Sequence, residues 1–251
     1  MNDKELKEFL DEKYLKYNNT NFVETDPIQI PREFTKKENI EISAFLAATI
    51  AWGQRKTIIN NAYKLVNWMD NDPLDFLMNA KDKDYLPFKD FKHRTFNGND
   101  CIFFLKSLAN IYKKHGGLEE IFSYGDTLHD GLINARKIFF SIEHPETSGR
   151  QFSNIEKKSA AKRLNMYLRW MVRKDEKGVD FGIWDKISPS QLYLPLDVHT
   201  ASVGRKLELL TRKQNDWKAV EEITGRLRKF DVEDPVKYDF ALFGLGAFEK
   251  L

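Results

Sequence analysis

The sequence carries one cysteine, Cys101, among 251 residues. A single thiol excludes an internal disulfide framework, a cysteine-based zinc finger and a four-cysteine iron–sulfur cluster. No apolar run approaches the roughly 20 residues that a membrane helix needs. The opening stretch MNDKELKEFLDEKY is charged throughout and lacks the apolar core of a secretory signal. There is no G-x-x-x-x-G-K phosphate loop and no glycine-rich dinucleotide fingerprint. No segment alternates convincingly with period 2, and no internal repeat is visible. These absences predict a cytoplasmic protein with no resident cofactor and no membrane partner. The oligomeric state is not legible in the sequence; a monomer is favoured.

What is present is a globular composition, 41% hydrophobic and 31% charged. Lys and Arg number 40 against 38 Asp and Glu, a net charge of +2. That near-neutral total hides a local excess. Residues 151–213 hold thirteen Lys and Arg against seven Asp and Glu, a net of +6, so the remainder carries −4. The segregation predicts one basic cleft, local to this stretch, on an otherwise mildly acidic protein.

The hydrophobic spacing is helical nearly throughout. Asn2 or Asp3 caps a first helix with Leu6, Phe9, Leu10 and Tyr14 on one face, ending near Asn18. Residues 25–34, with Pro27 and Pro31, read as an extended connector. Residues 40–51 are apolar on all sides and read as a buried helix broken by Gly53. Residues 81–99 read as polar and irregular. A strong helix is predicted over about 159–173, and three more over 197–210, 216–230 and 234 to about 248. The fold class is therefore all-α. The expected organisation is one two-lobed domain, with a central lobe over about 36–155. The N-terminal helix and about 156–251 form the second lobe. Gly244 and Gly246 in the last helix predict close packing rather than a bend.

Two segments can carry chemistry. In KKSAAKRLNMYLRWMVRK, Lys162 stands near a helix start, where the dipole disfavours a cation, with Lys157, Lys158 and Arg163 close by. Such crowding lowers an amine's pKa, and a neutral amine is a nucleophile. The same lysines also read as a solvated basic face. In QLYLPLDVHTASVGRKLELL, Asp197 follows an extended proline approach and opens a helix. The plain N-cap reading accounts for it by itself, and the same position can also display a carboxylate to a substrate. Asp197 and His199 invite a metal reading, but i and i+2 do not share a helix face, so no metal is expected. Cys101 reads as an inert thiol.

These two segments resemble the helix-hairpin-helix DNA glycosylase superfamily, which joins a lysine at one helix start to an aspartate in a V-D-x-H-like block opening the next helix. Pro195-Leu196-Asp197-Val198-His199-Thr200 matches the aspartate block, and Val203-Gly204-Arg205-Lys206-Leu207 resembles the helix after it. Lys162 best matches the lysine, with Lys158 as the alternative. Their 35-residue separation, from 162 to 197, is more similar to the archaeal 8-oxoguanine glycosylase branch than to the endonuclease III branch. Residues 45–54, FLAATIAWGQ, resemble the family's early buried helix and its glutamine-bearing turn. The blocks KRLNMYLRWMVR, PLDVHT and DPVKYDFALFGLG also look like a bacterial family of uncharacterised proteins. The usual L-P-G-x-G hairpin is absent. Only Ser148-Gly149 and Ser159-Ala160-Ala161 stand before Lys162.

The resemblance implies a base-excision glycosylase with AP lyase activity, acting on duplex DNA that holds a damaged, oxidised purine, and nucleoid-associated if bacterial. Lys162 would be the Schiff-base nucleophile and Asp197 its electrostatic partner. Gln54, Lys158, Arg163, Arg205 and Lys206 would contact nucleic acid. Trp52, Trp170 and Trp184 would wall the base pocket, although each, like Trp217, also reads as core. The missing hairpin keeps an alternative open, a non-catalytic helical protein that binds DNA or structured RNA. A helical interaction protein with no nucleic-acid role stands behind both.

Overall fold

A computed structural model describes the backbone of residues 1–251 and every side chain except that of Phe22. The fold is all-α. The chain divides into two compact units, Val23–Asn154 and a second made of Met1–Phe22 with Ile155–Leu251.

The first helix, α1 (Asp3–Tyr17), begins at Asn2, whose side chain accepts from the Glu5 N–H while Glu5 returns the bond. That reciprocal cap satisfies two of the helix's otherwise unpaired donors. Leu6 and Leu10 are its buried residues.

In the unit Val23–Asn154 the expected extended connector is instead helical. Two 3₁₀ stretches, Thr20–Thr25 and Pro27–Glu33, lead into it. Asp26 caps the second, Pro27 starts it with a pre-set φ, and Ile28 and Ile30 are buried. This turn packs on α2 (Lys37–Thr49) and α3 (Arg55–Asn67), so the unit begins at Val23 and not near residue 36. Next come α4 (Pro73–Asn79), capped by Asp72, and a 3₁₀ stretch, Asp82–Asp90. A two-stranded hairpin follows, β1 (Lys92–His93) and β2 (Phe96–Asn97), paired Lys92 to Asn97 and His93 to Phe96. Strands of two residues are too short to show a period, which is why the sequence hid them. Asn97 caps α5 (Gly98–Lys114), followed by α6 (Leu118–Phe122) and α7 (Leu128–Phe139). An aromatic core ties the unit together. Phe139 lies 4.7 Å from Phe104 and 4.9 Å from Phe152, ring centre to ring centre.

The other unit completes its helices with α8 (Lys162–Val172), α9 (Val198–Lys206), α10 (Trp217–Arg228) and α11 (Tyr238–Ala247). Asp197 and Asp216 cap α9 and α10 through their side chains. The predicted final helix splits, because Pro235–Lys237 is a 3₁₀ turn before α11. α11 is the hub, packed on both α1 and α9. Its two glycines serve close packing. A Cβ on Gly244 would fall 2.2 Å from the Tyr17 ring, and one on Gly246 would fall 2.9 Å from the His199 Cβ.

Candidate active site

α8 is shorter than its pattern predicts because a turn over 155–158, a bridge from Ser159 to Asp216 and the irregular Ala160 and Ala161 precede it. Lys158 and Ala161 both take left-handed conformations, φ 65° and 49°. L-residues adopt this region at a cost, and glycine usually holds it. Here three bonds hold the segment in place. The Ser159 Oγ accepts the Ala161 N–H at 3.2 Å. The Lys158 carbonyl accepts the Trp217 N–H at 3.1 Å. The Asn165 side chain donates to the Ala160 carbonyl at 3.3 Å. The segment ends at Lys162, the first residue of α8, whose N-terminus has no side-chain cap and no acidic residue in its first turn.

Asp197 reaches its place along an extended approach with Leu192, Leu194 and Leu196 buried. The Leu194 N–H donates to the Thr224 hydroxyl at 3.1 Å. The two oxygens of Asp197 then have different tasks. Oδ1 accepts the Thr200 N–H at 2.8 Å, capping α9. Oδ2 stands 3.1 Å from Nζ of Lys162. The lysine side chain is 39% exposed and the carboxylate 10%, so the amine is the solvent-facing half of the pair. Val198 and His199 are exposed beside it.

From Lys162 a polar stripe continues along α8 to Asn165 and Arg169, three and seven residues on, and to Arg173 at the C-cap. Arg169 pairs with Asp239 of α11 and donates from Nε to Asp180 at 3.2 Å. Arg173 is fully buried and holds Asp180 at 3.1 Å, Asp234 at 2.9 Å and Asp175. It also donates to the Tyr14 hydroxyl at 2.8 Å. Burial acts against the Arg173 charge, but Asp234 and Asp180 outweigh it and hold its proton more firmly than usual. Burial pushes Asp239 up to about 6; Arg169 opposes that shift, Asp197 adds to it, and Lys162 opposes it.

Of the thirteen cations in residues 151–213, Arg169 and Arg173 are buried, while Lys157, Lys158, Lys174, Lys177, Lys186, Lys206 and Lys213 are exposed. Arg169 and Arg173 are consumed in buried pairs, and Arg212 pairs with Asp216. Arg205, expected on nucleic acid, instead fastens the loop after α9. Its Nε donates to the Arg212 carbonyl at 2.9 Å, and Nη2 donates to the Lys213 carbonyl at 2.9 Å and to Asn215 at 2.6 Å. Burial lowers Arg163 to about 10. Lys158 and Lys206 are exposed.

The tryptophans also need correction. Trp170 is 1% exposed and Trp184 is 2%, with Trp184 edge-on to Tyr167. Their rings are filled by core neighbours, so neither offers a free face to a base. Trp217 is also buried, donating to Glu221 at 3.0 Å. Trp52 and Gln54 belong to the unit Val23–Asn154. Trp52 meets the buried His93 edge-on, and His93 Nε2 lies 2.9 Å from the Trp52 carbonyl. Gln54 stands at the N-cap of α3, and its side chain makes no capping bond. Cys101 is buried, which raises its thiol and fits an inert role. Among the described residues, no group of three or more His, Cys, Asp or Glu is placed to hold a metal ion. Among the described residues, no helix is long and apolar enough to cross a membrane.

The residues that sequence reading missed are Asp180 and Asp239, with Arg169 as their partner. Counting i+7 along α8 from Lys162 would have put Arg169 on the same face. Its partners lie 11 and 70 residues away in sequence, and no local pattern announces them.

The chain belongs to the family described as a protein of unknown function, DUF2400, whose model matches residues 26–248. No curated protein and no solved structure matches it.

Proposed function

We propose that this member of the DUF2400 family is a base-excision DNA glycosylase with AP lyase activity, working through a Schiff base on Lys162. The observation that carries the reading is the placement of the Lys162 amine 3.1 Å from the Asp197 carboxylate, each at the start of its own helix. The resemblance of both segments to helix-hairpin-helix glycosylases supports it, and an oxidised purine is the lesion which that resemblance implies. The target nucleotide leaves the stack, because C1′ is out of reach within a duplex. Lys162 gives up a proton, for which Asp197 is the nearby acceptor, and Nζ attacks C1′. The glycosidic bond breaks with its electron pair going to the base, which takes up the proton from Asp197 and returns Asp197 to its carboxylate form. The sugar ring opens to a protonated Schiff base, and Asp197 offsets its positive charge. Loss of a C2′ proton and of the 3′ phosphate by β-elimination then nicks the strand.

The test is borohydride trapping on duplexes carrying oxidised purines or abasic sites. The expected result is a covalent adduct with the wild-type chain, lost at least about 100-fold in Lys162→Ala and strongly reduced in Asp197→Asn. An adduct that survives Lys162→Ala overturns the assignment. A second reading, a non-catalytic binder of DNA or structured RNA, draws on the glycine-free stretch before α8. It predicts salt-dependent duplex binding with no adduct on any lesion.

A further inference from the structure

The unit Val23–Asn154 carries a second concentration of positive charge, apart from the one over residues 151–213. Residues 42–69 and 91–99 hold Arg55, Lys56, Lys64, Lys92 and Arg94 and no Asp or Glu. Arg55, Lys56, Lys92 and Arg94 are exposed, and among the described residues none of the four has a carboxylate partner.

Short polar contacts bring the two segments together. His93 of β1 donates from Nε2 to the Trp52 carbonyl at 2.9 Å, which leaves Nδ1 to accept the Asn61 amide of α3 at 2.9 Å. The Asn61 amide also lies 3.5 Å from the Lys92 carbonyl. Gln151 donates to the Thr95 carbonyl at 2.9 Å and so steadies the tip of the hairpin. Arg94 occupies that tip with φ 53°, a left-handed conformation that hairpin turns usually give to glycine or asparagine. Its side chain lies over Gly53, where a Cβ would fall 3.2 Å from Arg94 Cδ and Nη1. Two residues on, Arg55 and Lys56 open α3 with no acidic residue in its first turn. Cations there oppose the helix dipole, which favours an anion. An arginine in a strained turn and two cations at the less favourable end of a helix thus share one face, with no counter-charge from the protein.

We propose that this face binds the sugar–phosphate backbone of duplex DNA, with Arg94, Arg55 and Lys56 each on a phosphate. Backbone contacts come from arginine, lysine, threonine and amide side chains and from helix N-termini. The exposed Gln54 and Thr57 beside the cations supply the neutral donors. Four cations set along two chain segments suit a repeating row of phosphates rather than one bound anion. No large apolar side chain is exposed over residues 42–69 or 91–99. That argues against an anionic membrane, whose surface binders carry an apolar face. Backbone contacts carry no sequence information, so the face anchors the duplex and does not choose the lesion. That the nucleic acid is DNA rests on the glycosylase reading, whereas a phosphate-binding face does not depend on Lys162.

The test is fluorescence anisotropy of an undamaged, labelled DNA duplex with the full chain over a series of salt concentrations. Wild type should bind, with log affinity falling linearly in log salt. Arg94→Gln should make that slope shallower by about 0.9, one phosphate contact, and the double variant Arg55→Gln/Lys56→Gln by about 1.8. The losses should be equal for duplexes of unrelated sequence. Lys83→Gln removes an exposed lysine of the same unit outside both segments and should keep the wild-type slope. Circular dichroism checks that each surface variant is folded. Wild-type slopes in both face variants, an equal change in Lys83→Gln, or no duplex binding at low salt each overturn the proposal. An RNA duplex bound more tightly than DNA overturns the choice of DNA. Phosphatidylcholine–phosphatidylserine vesicles bound through Arg94 in place of the duplex would assign the face to a membrane and also overturn it. Binding needs no lesion, so a missing borohydride adduct beside slopes that shift as expected sinks the glycosylase chemistry alone. An adduct beside unshifted slopes sinks the face alone.

Discussion

Asp180 takes both Arg169 and Arg173, at 3.2 Å and 3.1 Å, from a side chain with no solvent exposure. Two guanidinium groups that would otherwise be buried without enough counter-charge depend on it. Asp180→Asn is therefore expected to cost about 3–5 kcal/mol in urea unfolding, the usual penalty for removing one partner of a buried ion pair. A loss below about 1 kcal/mol would mean that Asp175, Asp234 and Asp239 suffice without it. At this scale the sequence was half legible. Asp197 could be read as an N-cap from its proline approach and the helix after it, because capping is local. Asp180 sits in a loop of mixed charge, and nothing nearby in sequence shows that two arginines of α8 converge on it.

At the scale of elements, close approach of backbones sets the geometry around the site. Gly244 lets α11 lie against α1, where a Cβ would meet Tyr17 Cδ2 at 2.2 Å and Cγ at 2.3 Å. Tyr17 cannot swing aside freely, since its hydroxyl bonds Glu249 at 2.6 Å and its ring stacks on Phe248. Gly244→Ala should cost about 1–3 kcal/mol by overpacking, read as a lowered denaturation midpoint with helicity retained. A neutral result would show that α1 can shift outward without loss. Such packing was legible, because two glycines in one short helix have few other uses. The shortening of α8 was not. Ala160 and Ala161 are strong helix formers, and they are held out of the helix by the bridge between Ser159 and Asp216, the bond from Trp217 to Lys158, and the side chains of Ser159 and Asn165.

For the whole molecule, acid response follows from opposing groups. The side-chain donors of Lys16, Tyr17 and Lys13 hold Glu249 down to about 2, and Arg212 holds Asp216 down to about 2. A carboxylate lowered in the fold contributes stability above its ordinary value and loses it as pH falls toward the folded value. Asp239 works the other way. Raised to about 6, it takes up a proton in the folded state first, so its contribution to stability grows as pH falls from about 6 toward the ordinary carboxylate range. Thermal melts from pH 7 to pH 3 should therefore hold or rise slightly to about pH 5 and fall steeply below about 4. Glu249→Gln should flatten the steep limb. A midpoint that declines steadily from pH 7 would show that Asp239 is not raised.

The sequence by itself determined the helical class, several of the longer helices and the pair of residues worth joining. Helical period, capping and proline placement act over a few residues, so Asn2 and Asp197 could be read where they stand. Net charge was legible as a number, +6 over residues 151–213, but not as a surface. Tertiary structure decided which cations face solvent and which are neutralised, because pairing depends on residues that fold together from far apart in the chain. It buried Arg169 and Arg173, turned Arg205 onto its own loop, packed Trp170 and Trp184 into the core, and left the Lys162 amine at the surface against Asp197. Distance through space, not along the chain, sets Coulomb energy and desolvation, and only the fold supplies that distance.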